Sequence, residues 1–232
     1  MTLAIHRQAQ DAEQAARAVR TRWRTRQLLN AAARLMERDG FHGVSMQALA
    51  EEADVSVGLI YRYFGGKDEV LLAVIVDVLD AFATQVPAAT AAAGADPVER
   101  IVAGFRAYCE VINANRHAAV LTYRESKTLS EGGRERIKNL EVATSEPLRA
   151  AIRDGVDAGV LIATDVELFT YDLLLMAHAW ALKHWYFEHT LDFDSYVAKQ
   201  AALALRAVLH PRRRRKYQHL LEPESSPTAS QE

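Results

Sequence analysis

The sequence predicts an all-α protein: a small N-terminal head of three helices, joined by one long helix to a larger helical bundle. Three observations carry this expectation. Apolar residues recur at helical spacing, as in Leu28, Leu29, Ala32, Leu35 and Met36. No run of alternating β-branched residues reads as a strand. The stretch Ser45–Lys67, SMQALAEEADVSVGLIYRYFGGK, reads as a short helix, a tight turn and a second short helix.

Residues 1–20 are polar and alanine-rich and are expected to form a mobile arm. Arg17, Arg20, Arg22, Arg24 and Arg26 follow as a dense basic run, with no acid between Gln14 and Met36. Such a run is either a solvated helix face or a contact to phosphates or a minor groove beside the head. The first helix is expected to end at Asp39-Gly40 and to pack across the next two, closing the head over residues 21–66. Ser45 can cap the second helix through its hydroxyl, and Met46, Leu49, Ala50 and Ala53 give that helix an apolar face. Asp54-Val55-Ser56 breaks the pattern, and Asp tolerates the left-handed backbone of such a turn. Ser56 can cap the third helix, VGLIYRYF, with Ile60 and Phe64 inward and Val57, Leu59, Tyr61, Arg62 and Tyr63 outward. Gly65-Gly66 ends it. A helix that is small at its start and aromatic at its end suits entry into a major groove.

Asp68 and Glu69 start a fourth helix with acids where the helix dipole favours them. Lys67 goes against that preference, and a phosphate beside the same terminus would explain it. Val70, Leu71, Val74, Ile75, Val78, Leu79 and Phe82 continue the stripe, making 67–86 a connecting helix. Pro87–Pro97 reads as a loop. Residues 67–210 are expected to form an effector-binding and dimerisation domain, and 211–232 a basic, then disordered, tail. Within the domain, helices are expected from Val98, from His117 to Leu129, from Arg134 to Gly159 with a break or kink at Pro147, from Asp165 to about His189, and from Asp194 to Val208. Ser130–Gly133 reads as a loop. The run Arg212–Lys216 is either solvated or weakly attractive to DNA.

The chain has 232 residues, half of them hydrophobic, enough for one or two packed units. A net charge of −2 excludes a globally basic nucleic-acid coater, so DNA binding must come from local clusters. The single Cys109 excludes an intrachain disulfide and is expected to be a small buried residue in a reducing, cytoplasmic setting. The apolar run near Leu173–Ala177 falls short of the ~20 residues that span a bilayer, so no membrane role is expected. Gly-rich phosphate loops, G-x-S-x-G and H-E-x-x-H are absent, and no Glu-x-x-His pair suggests a di-metal site. An enzyme is therefore not expected, nor a metal or other cofactor.

The segment GFHGVSMQALAEEADVSVGLIYRYFGGKDEVLLAV closely resembles the DNA-binding segment of the tetracycline-repressor (TetR) family of bacterial transcription regulators. The marks are Gly40-Phe41, Ser45, Ala50, Ala53, Val55-Ser56, Gly58, Tyr61, Tyr63-Phe64, Lys67 and Leu71; Asp54 stands where the family usually has glycine. The resemblance is firm over residues 22–80 and general beyond. It implies a homodimeric, ligand-responsive regulator, most often a repressor, on a palindromic duplex operator, with Arg22 and Arg24 beside the head. It puts Ser45, Tyr61, Tyr63 and Lys67 on phosphates, and leaves Gln47, Val57, Gly58, Leu59 and Arg62 facing bases. A helical ligand-binding or protein-interaction module with a vestigial head is the alternative, against which the intact basic run, both tyrosines and Lys67 speak.

Leu168, Leu173–Ala177, Ala181 and Leu182 cannot all face one core, and neither can Ala201, Ala202, Ala204, Leu205 and Val208. In the family, the surplus face meets the same helices of a second subunit. For a small-molecule effector the candidates are Phe105, Tyr108, Tyr123, Arg124, Lys127, Trp180, Lys183 and His184, aromatic and polar groups within apolar helices. Core and interface filling by the same side chains is the competing reading. TYRESKTLSEGGRERI and AHAWALKHWYF also resemble family members that sense acyl-coenzyme A thioesters, which puts Trp180 with Lys183 or His184 on such a ligand. A lipophilic drug-like molecule is the competing effector.

Overall fold

The structure, a computed structural model, describes residues 23–222. The basic residues Arg17, Arg20 and Arg22 and the last ten residues lie outside them.

The head forms as its caps dictate. Helix α1 (23–39) buries Leu28, Leu29, Ala32, Leu35 and Met36, and Gly40 at φ 78° turns the chain away. In α2 (Met46–Glu52), the Ser45 Oγ accepts from the Ala48 N–H at 3.0 Å, and Leu49 and Ala50 are buried. The turn places Asp54 at φ 53°, the left-handed conformation its short polar side chain tolerates. In α3 (Val57–Phe64), the Ser56 Oγ accepts from Leu59 N–H at 3.3 Å, Ile60 is fully buried, and Gly65 at φ 86° closes the helix.

Helix α4 (Lys67–Ala92) runs from the head through the bundle, burying among others Val70, Val74, Ile75, Phe82 and Val86. Its 26 residues make it about 39 Å long. The expected loop from Pro87 is therefore corrected. The alanine-rich segment stays helical to Ala92 because Pro87 removes a single N–H while its neighbours are strong helix formers. The chain leaves at Gly94, φ 81°. By length and mean hydropathy (1.8) α4 could also cross a bilayer, which the short run at Leu173–Ala177 did not suggest; its apolar residues instead supply the core that joins head and bundle.

The bundle comprises α5 (Pro97–Ala114), α6 (Arg116–Glu125) with a 3₁₀ turn at Ser126–Thr128, α7 (Glu131–Asp157), α8 (Val166–Leu182), α9 (His184–Phe187) and α10 (Phe193–Val208). Helices α4, α5 and α7 pack mutually, and α8 lies across α5 and α7. Gly104 permits a close approach of α4, α5 and α7: a Cβ there would stand 2.9 Å from Thr90 Cγ2 and 3.4 Å from Leu148 Cδ1. Several expected boundaries move. Ser130 caps α7 by accepting from the Gly133 N–H at 3.2 Å, so the expected Ser130–Gly133 loop is the helix's first turn. α7 passes through Pro147 without ending. The helix expected to reach His189 stops at Leu182 and restarts as α9, and α10 is capped by Asp192 rather than opened at Asp194.

Residues 211–222 are ordered, contrary to the expected tail. A 3₁₀ segment (Pro211–Tyr217) and α11 (Gln218–Leu221) return across α10. Tyr217 is buried, and its hydroxyl donates to both oxygens of Asp96, at 3.0 and 3.2 Å. Lys216 Nζ reaches the same carboxylate at 2.6 Å, and Asp96 also caps α5 through the Val98 and Glu99 N–H groups. This packing supplies part of the cover that the apolar surplus of α10 demanded. Ala201, Ala202, Ala204, Leu205 and Val208 are all buried within the chain, and of the large apolar residues of α10 Leu203 is exposed. On α8, Leu168, Tyr171 and Leu175 remain exposed along one face, spaced three and four residues apart.

Candidate functional site

Two regions bear on function, the outer surface of the head and a cavity in the bundle. On the head, Tyr61, Arg62 and Tyr63 are exposed on the last turn and a half of α3, with the Arg62 guanidinium 5.5 Å from the Tyr63 ring centre. Val57 and Leu59 are half-buried and Gly58 is exposed at the start of the helix. A Cβ on Gly58 would meet nothing within 4 Å, so the fold itself does not require glycine there. Gln47 is exposed at the helix surface, its amide donating to Glu51 Oε1 at 3.0 Å. The Ser45 Oγ accepts the α2 cap bond, and its O–H is available to donate. Arg24 is exposed, and Arg26 lies 3.8 Å from Asp77 of α4.

Lys67 has partners of its own inside the head. Its ammonium, expected on a phosphate, donates to the carbonyls of Phe41 (2.9 Å), Val44 (2.8 Å) and His42 (3.3 Å) and lies 4.7 Å from the centre of the Phe41 ring. All three ammonium hydrogens are thereby used inside the protein. A cation at the unfavourable end of the helix dipole is explained by the turn between α1 and α2, whose carbonyls converge on it.

The cavity, of about 260 Å³, opens between α4, α5, α6, α7 and α8. Helix α4 contributes Ile75, Val78, Leu79 and Phe82, α5 contributes Tyr108 and Ile112, and α6 contributes Ala119, Thr122 and Tyr123. Ser126, Glu141 and His178 complete the wall. Phe82 stacks on Tyr108 with centres 3.8 Å apart, and the His178 imidazole stands edge-on to Tyr108, Tyr123 and Phe82 at 5.6, 5.4 and 6.4 Å. Burial pushes the His178 pKa down and the Tyr108 and Glu141 pKa values up, so the imidazole and the phenol are held neutral at pH 7.

Of the expected effector residues, Tyr108 and Tyr123 line this cavity and the others do not. Phe105 is buried in the core beside it. Trp180 is a core residue: its indole N–H donates to Asn113 Oδ1 at 2.8 Å and its ring packs against Phe193, Tyr196 and Phe187. α8 stops at Leu182; Lys183 is exposed where the helix breaks, and the His184 ring stands edge-on to Trp180, centres 5.1 Å apart, and contacts Arg116. Lys127 stands on the 3₁₀ turn, away from the wall. Arg124 points the other way, donating to the Glu37 carbonyl of α1 at 3.2 Å, and His117 contacts the Glu37 carboxylate. Helix α6 thus faces the cavity on one side and grips the end of α1 on the other. Glu141, Thr122 and Ser126 are wall residues that the sequence did not single out, and His178 belongs to the aromatic and polar crowd of its helix in the sequence without being among the candidate ligand residues. His178, a polar residue inside LLLMAHAWAL, was the available signal.

The basic run Arg212–Lys216 sits beside Asp96 at the far end of α4 from the head. With about 39 Å of helix between them, it cannot join the head on one short site.

A capped helix-turn-helix with an exposed second helix, joined through one long helix to a bundle holding an apolar cavity with polar anchors, is the architecture of a DNA-binding transcriptional regulator. The comparisons with known proteins agree. The model of bacterial regulatory proteins of the tetR family matches residues 28–74, and that of the tetracyclin repressor-like C-terminal domain matches residues 94–208. The HTH-type transcriptional regulator HbdR of Aromatoleum sp. (strain CIB) is 36% identical over 186 residues, 80% of this chain and 81% of its own length. The chain belongs to the TetR family of bacterial transcriptional regulators. Among solved structures, the TetR family regulator PfmR of Thermus thermophilus superposes with a TM-score of 0.67 at 27% identity, over 77% of this chain and 97% of its own. AibR, solved with isovaleryl coenzyme A and operator DNA, has a TM-score of 0.67 at 23% identity over 78% of this chain and 97% of its own; it shares the fold.

Proposed function

We propose that the protein is a cytoplasmic, homodimeric repressor that leaves a palindromic operator when a compact lipophilic effector fills the cavity. The observation that carries this reading is the shared use of α4 and α6. Both line the cavity, α4 begins in the head, and α6 is bonded to α1 through Arg124. Occupancy of the cavity would bias the head only to the extent that the effector binds the DNA-competent and incompetent arrangements differently.

On DNA, Ser45, Tyr61 and Tyr63 would meet phosphates, with Arg22 and Arg24 on the backbone or minor groove. Gln47, Val57, Gly58, Leu59 and Arg62 would face bases. Two points support the assignment: α3 is exposed where Tyr61, Arg62 and Tyr63 stand, and Gly58 leaves room for close approach to a duplex. The exposed row Leu168, Tyr171 and Leu175 on α8, with Leu203 on α10, supports a two-fold dimer carrying two heads. AibR's complex with isovaleryl coenzyme A makes an acyl-coenzyme A one candidate effector, with only the acyl end inside a cavity of about 260 Å³.

Sheared genomic DNA captured by the purified protein at two salt concentrations tests the reading. The expected result is a short palindrome enriched at few promoters and released by the effector. Diffuse, salt-labile capture alone would refute it. Gln47→Ala should relax the preference at one base position, a loss of about 1–3 kcal/mol of discrimination there. Equal loss on every sequence would remove Gln47 from the base-reading set.

A further inference from the structure

The cavity wall carries the hydroxyls of Tyr108, Thr122, Tyr123 and Ser126 beside the His178 imidazole and the Glu141 carboxylate, and no cationic side chain. The Nδ1 of His178 lies 2.8 Å from the Leu174 carbonyl, and a carbonyl only accepts, so Nδ1 carries the proton. The ring is neutral, because burial disfavours the imidazolium. Its Nε2 is then a bare lone pair. Among the described residues no donor reaches Nε2, nor is it one of the sealed-off buried atoms, so it faces the open space of the cavity. Three aromatic edges fix the imidazole plane.

Two further groups add acceptors, beside the Tyr108, Tyr123 and Ser126 hydroxyls, which can donate as well as accept. Thr122 spends its hydroxyl hydrogen on the Ala118 carbonyl at 2.8 Å and can only accept. Glu141 adds a carboxylate, and neither lysine nor arginine lines the cavity. The Glu141 pKa is raised by burial, with no cation acting against it. An anionic ligand would face a carboxylate and a lone pair with no counter-charge. A hydroxyl or N–H would find an acceptor already oriented.

We propose that the cavity selects an uncharged, compact, ring-sized ligand that donates a hydrogen bond, with Nε2 of His178 as the specificity-determining acceptor. The proposal rests on reading the cavity as the effector site. A carboxylic acid would enter only once its charge is masked, as in an ester, thioester or amide.

Calorimetric titration of the full-length protein with 2-naphthol, 2-methylnaphthalene and 2-naphthoate, which share one ring system, tests this. The naphthol should bind about three- to tenfold tighter than the methyl compound, the range of one neutral hydrogen bond, and the naphthoate should not bind detectably. His178→Phe keeps a ring among the other rings and should remove the naphthol's advantage without weakening the methyl compound. Glu141→Gln should make the naphthoate measurable. Equal or tighter binding of the methyl compound, preferred binding of the naphthoate, or an unchanged preference in a folded His178→Phe protein overturns the proposal while leaving the cavity a binding site. No binding by any of the three overturns the effector reading as well.

Discussion

Lys67 gives the sharpest test of how this head is held together. Replacing it with methionine keeps an apolar stem over Phe41 and removes the ammonium, leaving the Phe41, His42 and Val44 carbonyls without their common donor. A hydrogen bond from a charged group contributes about 1.5–3 kcal/mol, but the site is half-buried and water can reach at least the His42 carbonyl. The three together should therefore be worth about 2–3 kcal/mol rather than their sum. For a chain of this length that lowers Tm by about 4–12 °C. Thermal unfolding at one fixed protein concentration measures it, the concentration being held because association shifts apparent stability. Operator affinity measured against salt at a temperature where both proteins are folded should keep its slope. An unchanged Tm with the slope reduced by about one unit would refute the reasoning, since that is the signature of a lysine on a phosphate.

Two further outcomes concern the bundle. Burial pushes the Asp96 carboxyl up, but hydrogen bonds from Lys216, Tyr217 and the Val98 and Glu99 N–H groups outweigh it and hold the carboxyl below its ordinary 3.8. A depressed folded-state pKa stabilises above the unfolded value and ceases to as pH falls through the folded one. Asp96→Asn should therefore cost stability at pH 7 and progressively less as pH falls below about 4 in urea unfolding; a cost independent of pH would contradict this. Gly104→Ala should destabilise by about 1–3 kcal/mol despite alanine's better helix propensity, because the new methyl meets Thr90 Cγ2 at 2.9 Å. Thr90→Ser, which removes that methyl, should restore most of the loss in the double variant, and failure to do so would place the strain elsewhere.

What was legible in the sequence was local. The Ser45 and Ser56 caps, the left-handed Asp54, the Gly65 stop and the buried Ile60 are decided within a few residues, and each stands as the sequence predicts. Boundaries read from proline or glycine alone were less secure. Pro87, Pro147 and the Gly132-Gly133 pair all lie inside helices, since one lost hydrogen bond or one unfavourable propensity is outweighed by tertiary packing.

The sequence by itself determined the class of protein: an all-helical chain with a capped reading head, whose motif spacing is a property of neighbours along the backbone. Tertiary structure alone decided which side chains face the cavity, because its wall is drawn from residues 75 to 178 on five helices and no periodicity in one helix reports on another. It also took Trp180 into the core through Asn113, 67 positions earlier, and took Lys67 onto carbonyls 23 to 26 positions earlier. In each case a long polar side chain found its partner across the fold, where burial makes an unpaired donor costly and a paired one a fixed part of the structure.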